Sequence, residues 1–305
     1  MNAARGALDE SISDLAAIME FSDAYAAGTK PFDRFVRNAI EERVFNTTPV
    51  VFGADTVTEA QINEIAAQLP RSYAREAFAH SLSNETSEVL EELDRMRETG
   101  EGAEGMIQGA RLGAFAGSYA SGRPMPGEFE FFLQSVEYRL YASPLGRPWQ
   151  NLDEQAYADS MGHVIEAAAL PFYQAVPDPA AFDQDNGGGL GGFSNVRASR
   201  TLAVQATYEA KLDLTRMGLM LQRYRVQYGA YPISLDAIAT DMGGALPLDP
   251  FSGASYIYRP SGDSFLLYSV GYNRQDDGGT EGLHYDGDIV WRGGRALRSS
   301  DGVEP

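Results

Sequence analysis

The sequence predicts an α+β protein: a mostly α-helical N-terminal domain, then a smaller domain in which one long helix packs on a short antiparallel sheet. Three observations predict it. Apolar residues recur at helical spacing through much of residues 1–176. A proline-, aspartate- and glycine-rich stretch, 177–194, then erases the periodicity. β-like strings with turn signals between them appear only beyond it. The expected division is an α-helical domain at 1–176, a linker at 177–194, an α+β domain at 195–291 and a disordered tail at 292–305.

Taken in order, residues 7–26 place Leu15, Ile18, Met19, Phe21 and Tyr25 on or near one helix face, before Thr29-Lys30-Pro31 punctuates the chain. A second helix, 32–46, carries Phe32, Phe35, Val36, Ile40 and Val44, and Asn46-Thr47-Thr48-Pro49 reads as its end. Thr58, with Gln61 three residues on, is a capping signal for 59–68. A long helix is expected from Ser72 to about Arg97. Its polar side holds Glu88, Glu91, Glu92, Asp94 and Arg95, a pattern that reads as a solvated face. Glycines 105, 109, 113 and 117 fall every fourth residue, either as a smooth ridge on a helix or as an irregular segment. Residues 126–141 look helical and aromatic-rich. A further helix spans about Leu152 to Val176, kinked or divided at Pro171.

The last third opens on one stripe, Ala210, Leu214, Met217, Leu221, Tyr224 and Tyr228, at steps of four and three. Gly229 stops that helix. SYIY (255–258) and SFLLYSVG (264–271) follow, separated by PSGD, and an acidic glycine-rich loop (273–288) leads to IVW (289–291). The sheet is expected to bury Tyr256, Tyr258, Phe265, Leu267 and Trp291 against Leu214, Leu221 and Tyr224.

YGAYP (228–232), PLDPFSG (247–253), Tyr256, Tyr258, LYSVG (267–271), Gly278-Gly279 and DGDIVW (286–291) stand in one order and spacing. In these motifs the chain resembles the globular domain of the major pseudopilin of type II secretion systems. That resemblance implies one Ca²⁺ in the loop between the last strands. By position, Asp286 and Asp288 match the family's acidic pair, with Asn273, Asp276 and Asp277 as neighbouring ligand candidates. Calcium takes six to eight oxygen ligands in flexible geometry, which closely spaced carboxylates in a glycine-rich turn suit. Asn273 stands where the family usually has an aspartate, and TEGLHY precedes the pair. The strings DLAAIMEFSDAY (14–25), RFVRNAIEE (34–42), SNETSEVLEELDRM (83–96) and ALPFYQAV (169–176) are similar to helical regions of uncharacterised bacterial envelope proteins that carry such a module.

Composition excludes several classes. A net charge of −19 argues against nucleic acid, which needs clustered Lys and Arg. Without cysteine there is no disulfide, thiolate zinc site or cysteine nucleophile. No stretch is apolar enough to span a membrane, and MNAARGALDESISD lacks the basic start and apolar run of a signal peptide. A pseudopilin begins with an apolar helix that packs into its filament. Here polar helix-forming residues precede the module, so either the chain is a soluble relative or an anchor lies upstream of Met1.

Catalytic patterns are sparse. His80, His163 and His284 form no HExxH and no i, i+4 pair, and neither GxSxG nor GxxxxGK[ST] occurs. Glu85, Glu88 and Glu92 are carboxylates at helical spacing that a glycosidase mechanism could use. The expectation is a non-catalytic structural or interaction protein of the bacterial cell envelope, periplasm included, linked to secretion, with protein partners docking on its helical surface. The competing class is a hydrolase with an acidic active site in the N-terminal helical domain.

Overall fold

The structure, a computed structural model, describes residues 2–23, 31–52, 57–70, 73–99, 143–185, 198–282 and 287–294. The expected glycine ridge, the 126–141 helix, His284 and Asp286 lie outside these. Among the described residues there are eight α-helices and one three-stranded antiparallel sheet, so the fold is α+β and mostly helical. The chain forms two compact units. One comprises Met1–Phe78, Ala167–Pro177 and Thr201–Pro305; the other comprises Ala79–Glu166 and Asp178–Arg200.

The first unit begins with α1 (Asn2–Asp23), α2 (Pro31–Phe52) and α3 (Glu59–Gln68). Leu8, Ile12, Leu15 and Met19 bury one stripe of α1. α3 starts where the sequence predicts: the Thr58 hydroxyl accepts from the Gln61 amide, and the Gln61 side chain accepts from the Thr58 amide at 2.9 Å. α2 differs from expectation, running through Pro49 to Phe52. Proline cannot donate to the carbonyl four residues back. Thr48 Oγ1 donates to the Val44 carbonyl at 2.6 Å, and Val44, Phe45 and Phe52 are buried on this stretch. Val44 and Phe45 precede the proline, so the gain from continuing is the burial of Phe52, at roughly 1.5–3 kcal/mol against a penalty of about 3 kcal/mol for an interior proline.

At the centre of this unit lies α8 (Ala198–Tyr228), from Thr201 onward. The sequence predicts a single buried stripe. The helix is instead buried on nearly every side as far as Gln222, with Leu212, Leu214, Met217, Leu219 and Leu221 all inaccessible. Helix contacts and the sheet cover different sides of it. Phe45 of α2 packs its ring 5.3 Å from Tyr208, Asn38 Nδ2 donates to Gln205 Oε1 at 2.9 Å, and Lys211 pairs with Glu42. Gln227 Nε2 donates to Glu59 Oε1 of α3 at 2.8 Å. The stripe ends early: Tyr228 is exposed.

The sheet runs β1 (Ile257–Ser261), β2 (Ser264–Ser269), β3 (Ile289–Gly294) in that order. Tyr258 stands opposite Leu267, which stands opposite Trp291, and Pro260 opposite Phe265 opposite Gly293. Phe265, Leu267 and Trp291 are buried as expected, as is Tyr256 just before β1, while Tyr258 is half-buried and donates its hydroxyl to the Pro232 carbonyl at 2.9 Å. The strand β3 continues three residues past Trp291, and Gly293 accommodates the Phe265 ring that a side chain would exclude.

The second unit contains α4 (Arg75–Thr99) from Ala79, α5 (Arg147–Ala168) up to Glu166, and α7 (Pro179–Asp185). Arg97 and Glu154 form an ion pair between α4 and α5. The Asp178 carboxylate accepts from the Ala180 amide at 2.9 Å and caps α7, which occupies the first part of the glycine- and proline-rich stretch. Asp183 in turn accepts from the Ser199 amide at 2.8 Å. The break expected at Pro171 is present: α5 ends at Ala168 and a single turn, α6 (Phe172–Ala175), follows in the first unit.

Candidate functional site

Four of the five predicted calcium ligands lie in described residues, all in the loop between β2 and β3. Its backbone turns through positive φ at Gly271, Arg274, Gly278 and Gly279. A side chain at Gly271 would strike the Gly287 carbonyl, so the two ends of the loop meet there and glycine is required. Asn273 Oδ1 accepts from the Gln275 amide at 3.0 Å, and its Nδ2 donates to Asp277 Oδ2 at 2.8 Å. Asp276 Oδ1 accepts from the Tyr268 hydroxyl at 2.7 Å and the Gly278 amide at 2.9 Å, while Oδ2 faces Arg259 at 3.2 Å. The buried Asp288 accepts from the Gly279 amide at 2.6 Å and the Asp277 amide at 3.4 Å.

These contacts set the acidities. The Tyr268 hydroxyl, then the Gly278 amide, holds the Asp276 carboxyl below the usual carboxylate range. Burial raises Asp288, helped by the Asp277 and Asp276 charges and opposed by the Gly279 and Asp277 amides. The carboxylates therefore already serve as acceptors for the loop's own donors. Among the described residues no group of three or more acid or histidine side chains is arranged to hold a metal ion. The oxygen chemistry suits calcium, but Asp277 and Asp288 alone are too few ligands, and Asp286 lies outside the described residues.

The acids of the competing hydrolase reading lie on one helix. Glu85, Glu88, Glu91 and Glu92 line an open groove along α4 together with Val89, Leu93 and Arg95. Arg95 pairs with Glu92 on the same helix, the groove is lined by α4 alone, and Tyr157 of α5 stands near Glu85, its hydroxyl raised by burial and then by the Glu85 charge. His80 and His163 are exposed. The arrangement is that of a solvated helix face.

Two acidic groups of the first unit escape sequence reading. Asp249, in PLDPFSG, is buried and accepts four hydrogen bonds. These come from the Phe251 amide (2.9 Å), Ser269 Oγ (2.9 Å), the Val270 amide (3.1 Å) and Ser252 Oγ (3.2 Å). It ties the loop before the sheet to the end of β2. The second group is Glu209 and Asp213, one turn apart on α8 and both buried. Arg75 engages both oxygens of Glu209, with Nε donating at 3.0 Å. Asp213 Oδ2 accepts from the Tyr256 hydroxyl at 3.0 Å. Burial, then the Glu209 charge, pushes Asp213 up to about 7, and burial raises Glu209 despite Arg75. The available signal was two acids placed i, i+4 within a helix whose neighbouring positions are apolar.

No protein-family model, curated protein or solved structure matches the chain. No described helix is long and apolar enough to cross a membrane.

Proposed function

We propose that the chain is a non-catalytic structural or interaction protein of the bacterial cell envelope, built around a pseudopilin-like module and acting through protein partners, in a setting linked to secretion. One observation carries this reading: the signature residues of the last third serve in holding the module together. Tyr231 meets Phe265 edge to face at 4.8 Å, Asp249 anchors the end of β2, and Tyr258 ties β1 to the Pro232 carbonyl. Gly271 lets the loop ends close, and Trp291 packs on α8. Residues spent on architecture suit a module whose surface, not a reaction centre, is its working part.

In the same reading calcium completes the β2–β3 loop, with Asp286 and Asp288 as its acids and Asp277 beside them. An ion there adds closure to a loop already held by the amides that Asp288 accepts. The test is thermal unfolding of the full chain with calcium and with chelator. A ligand that binds only the folded state raises stability by about 2.7 kcal/mol at a hundredfold excess over its Kd. The expected outcome is a calcium-dependent rise that Asp286→Ala/Asp288→Ala loses. No rise in the native chain removes calcium from the proposal. Fractionation of the source cells tests the location, and a chain confined to the cytosol sinks the envelope role.

A further inference from the structure

Independently of that role, the first unit contains a cleft of about 400 Å³ floored by Glu209, Asp213 and Arg216, which stand at i, i+4 and i+7 on one face of α8. Tyr73 and Arg75 form one wall, Pro171 and Tyr173 another, and the segment Ala245–Leu248 a third. Tyr73, Pro171, Tyr173 and Leu246 give it aromatic and apolar walls, Arg75 adds a charge at one side, and the remaining charges lie on the floor, the pattern of a small-ligand site.

The two acids of the floor differ. Glu209 has both oxygens satisfied by the Arg75 fork. Asp213 is only 5% exposed, yet only its Oδ2 is paired, with the Tyr256 hydroxyl. Its Oδ1 accepts nothing from the described residues and is not sealed among the fully buried unpartnered atoms. Asp213 lines the cleft, which places a donor there within reach of that carboxylate. A buried carboxylate oxygen without a donor is costly, and a ligand bearing N–H groups relieves that cost. An anion is disfavoured by Glu209, Asp213 and the nearby Asp249, against only Arg75 and Arg216, in a chain of net charge −19.

We propose that this cleft binds an organic ammonium or guanidinium cation, whose N–H donates to Asp213 Oδ1 and whose carbon body lies against Tyr73, Tyr173 and Leu246. The cation has two sources, a free alkylamine or a basic side chain of a partner polypeptide, and both present the same group.

The proposal fixes a pH dependence. Asp213 faces Glu209 and Arg216 on its own helix, Arg75 from the start of α4, and Tyr256 from the segment before β1. A protonated Asp213 is a poor acceptor for a cation. Because its carboxyl titrates at about 7, affinity falls as pH drops through neutrality, by about tenfold from pH 8 to pH 6.

The experiment is calorimetric titration of the full chain at pH 8 and pH 6 with putrescine, with N-acetyl-lysine amide and with choline, which has no N–H. The expected result is saturable binding of at least one of the first two, about tenfold weaker at pH 6, with choline silent. Tighter binding of the lysine derivative marks a polypeptide source, and tighter binding of putrescine a free amine. In Asp213→Asn the binding is lost or weakened at least tenfold, while melting at pH 8 shows the variant folded. Absence of binding by both amines, choline binding as well as they do, a pH-independent affinity, or unchanged binding by folded Asp213→Asn each overturns the assignment. The choline and pH comparisons use the native chain, so they decide the matter even where the variant fails to fold.

Discussion

At the scale of single residues, Gly218 and Asp213 have consequences that their positions in the sequence do not announce. A Cβ at Gly218 would lie 2.7 Å from Trp291 Nε1, so the indole lies directly on the helix backbone. Gly218→Ala improves helix propensity by about 1 kcal/mol, yet forces the buried ring to shift, which costs about 1–3 kcal/mol. The expected outcome is a lower urea midpoint with a disturbed tryptophan emission. A midpoint equal to or above the native value refutes the contact. Asp213 makes stability depend on pH with a definite sign. Its folded-state pKa, about 7, lies above the ordinary aspartate value of 3.8, so between those values the folded chain holds a proton that the unfolded chain releases. Its contribution to stability is therefore full below about pH 4, declines as pH rises toward 7, and is level above that. Its loss is on the order of 4 kcal/mol at most. The raised Glu209 acts in the same direction. Chemical unfolding across this range checks the slope, and Asp213→Asn should flatten it while melting no lower than the native chain at pH 8. Gly218 was unreadable because the ring it accommodates, Trp291, is far away along the chain.

At the scale of elements, local chemistry was readable wherever both partners are close in sequence. Thr58 and Gln61 form their reciprocal cap, Pro171 separates α5 from α6, and Gly229 follows the last turn of α8 with φ at +79°. Pro49 misled for the opposite reason. Its local signal says stop, and the burial of Phe52, decided by distant neighbours, says continue. Pro49→Ala restores a main-chain donor inside α2 and removes the ring's strain. It should stabilise the protein by about 1–3 kcal/mol, read as a higher melting temperature. A fall instead would mean that the proline ring's own packing, beside Phe45 and Val50, outweighs the helix term. The acidic loop was readable in position, but its hydrogen-bond partners were not. Asn273, Asp276, Asp277 and Asp288 do gather between β2 and β3, yet their partners, Tyr268, Arg259 and the loop amides, are set by the turn of the backbone.

At the scale of the whole molecule, an α+β, mostly helical fold was visible from periodicity, because 3.6- and 2-residue repeats are local patterns. The all-round burial of α8 was not. A stripe is recognisable only when the other faces are polar, and here Leu212 and Leu219 carry the face away from the predicted stripe. Those faces have their partners in α1–α3, through pairs such as Phe45 with Tyr208 and Asn38 with Gln205. A fragment comprising only residues 198–294 therefore exposes apolar helix surface that the sheet does not reach. It should unfold without a cooperative transition, whereas the full chain melts cooperatively. A sharp transition in the fragment, followed by circular dichroism, would show that the sheet alone suffices for α8.

The distance in sequence between Asn38 and Gln205, 167 residues, also governs timing at the ribosome. Synthesis proceeds at about 5–20 residues per second, so α2 emerges roughly ten seconds or more before the helix that covers it. Throughout that interval Val44, Phe45 and Phe52 have no α8 to pack on. The nascent N-terminal helices thus carry an uncovered apolar surface through that interval, and their pairing with α8 begins only as the last third is made.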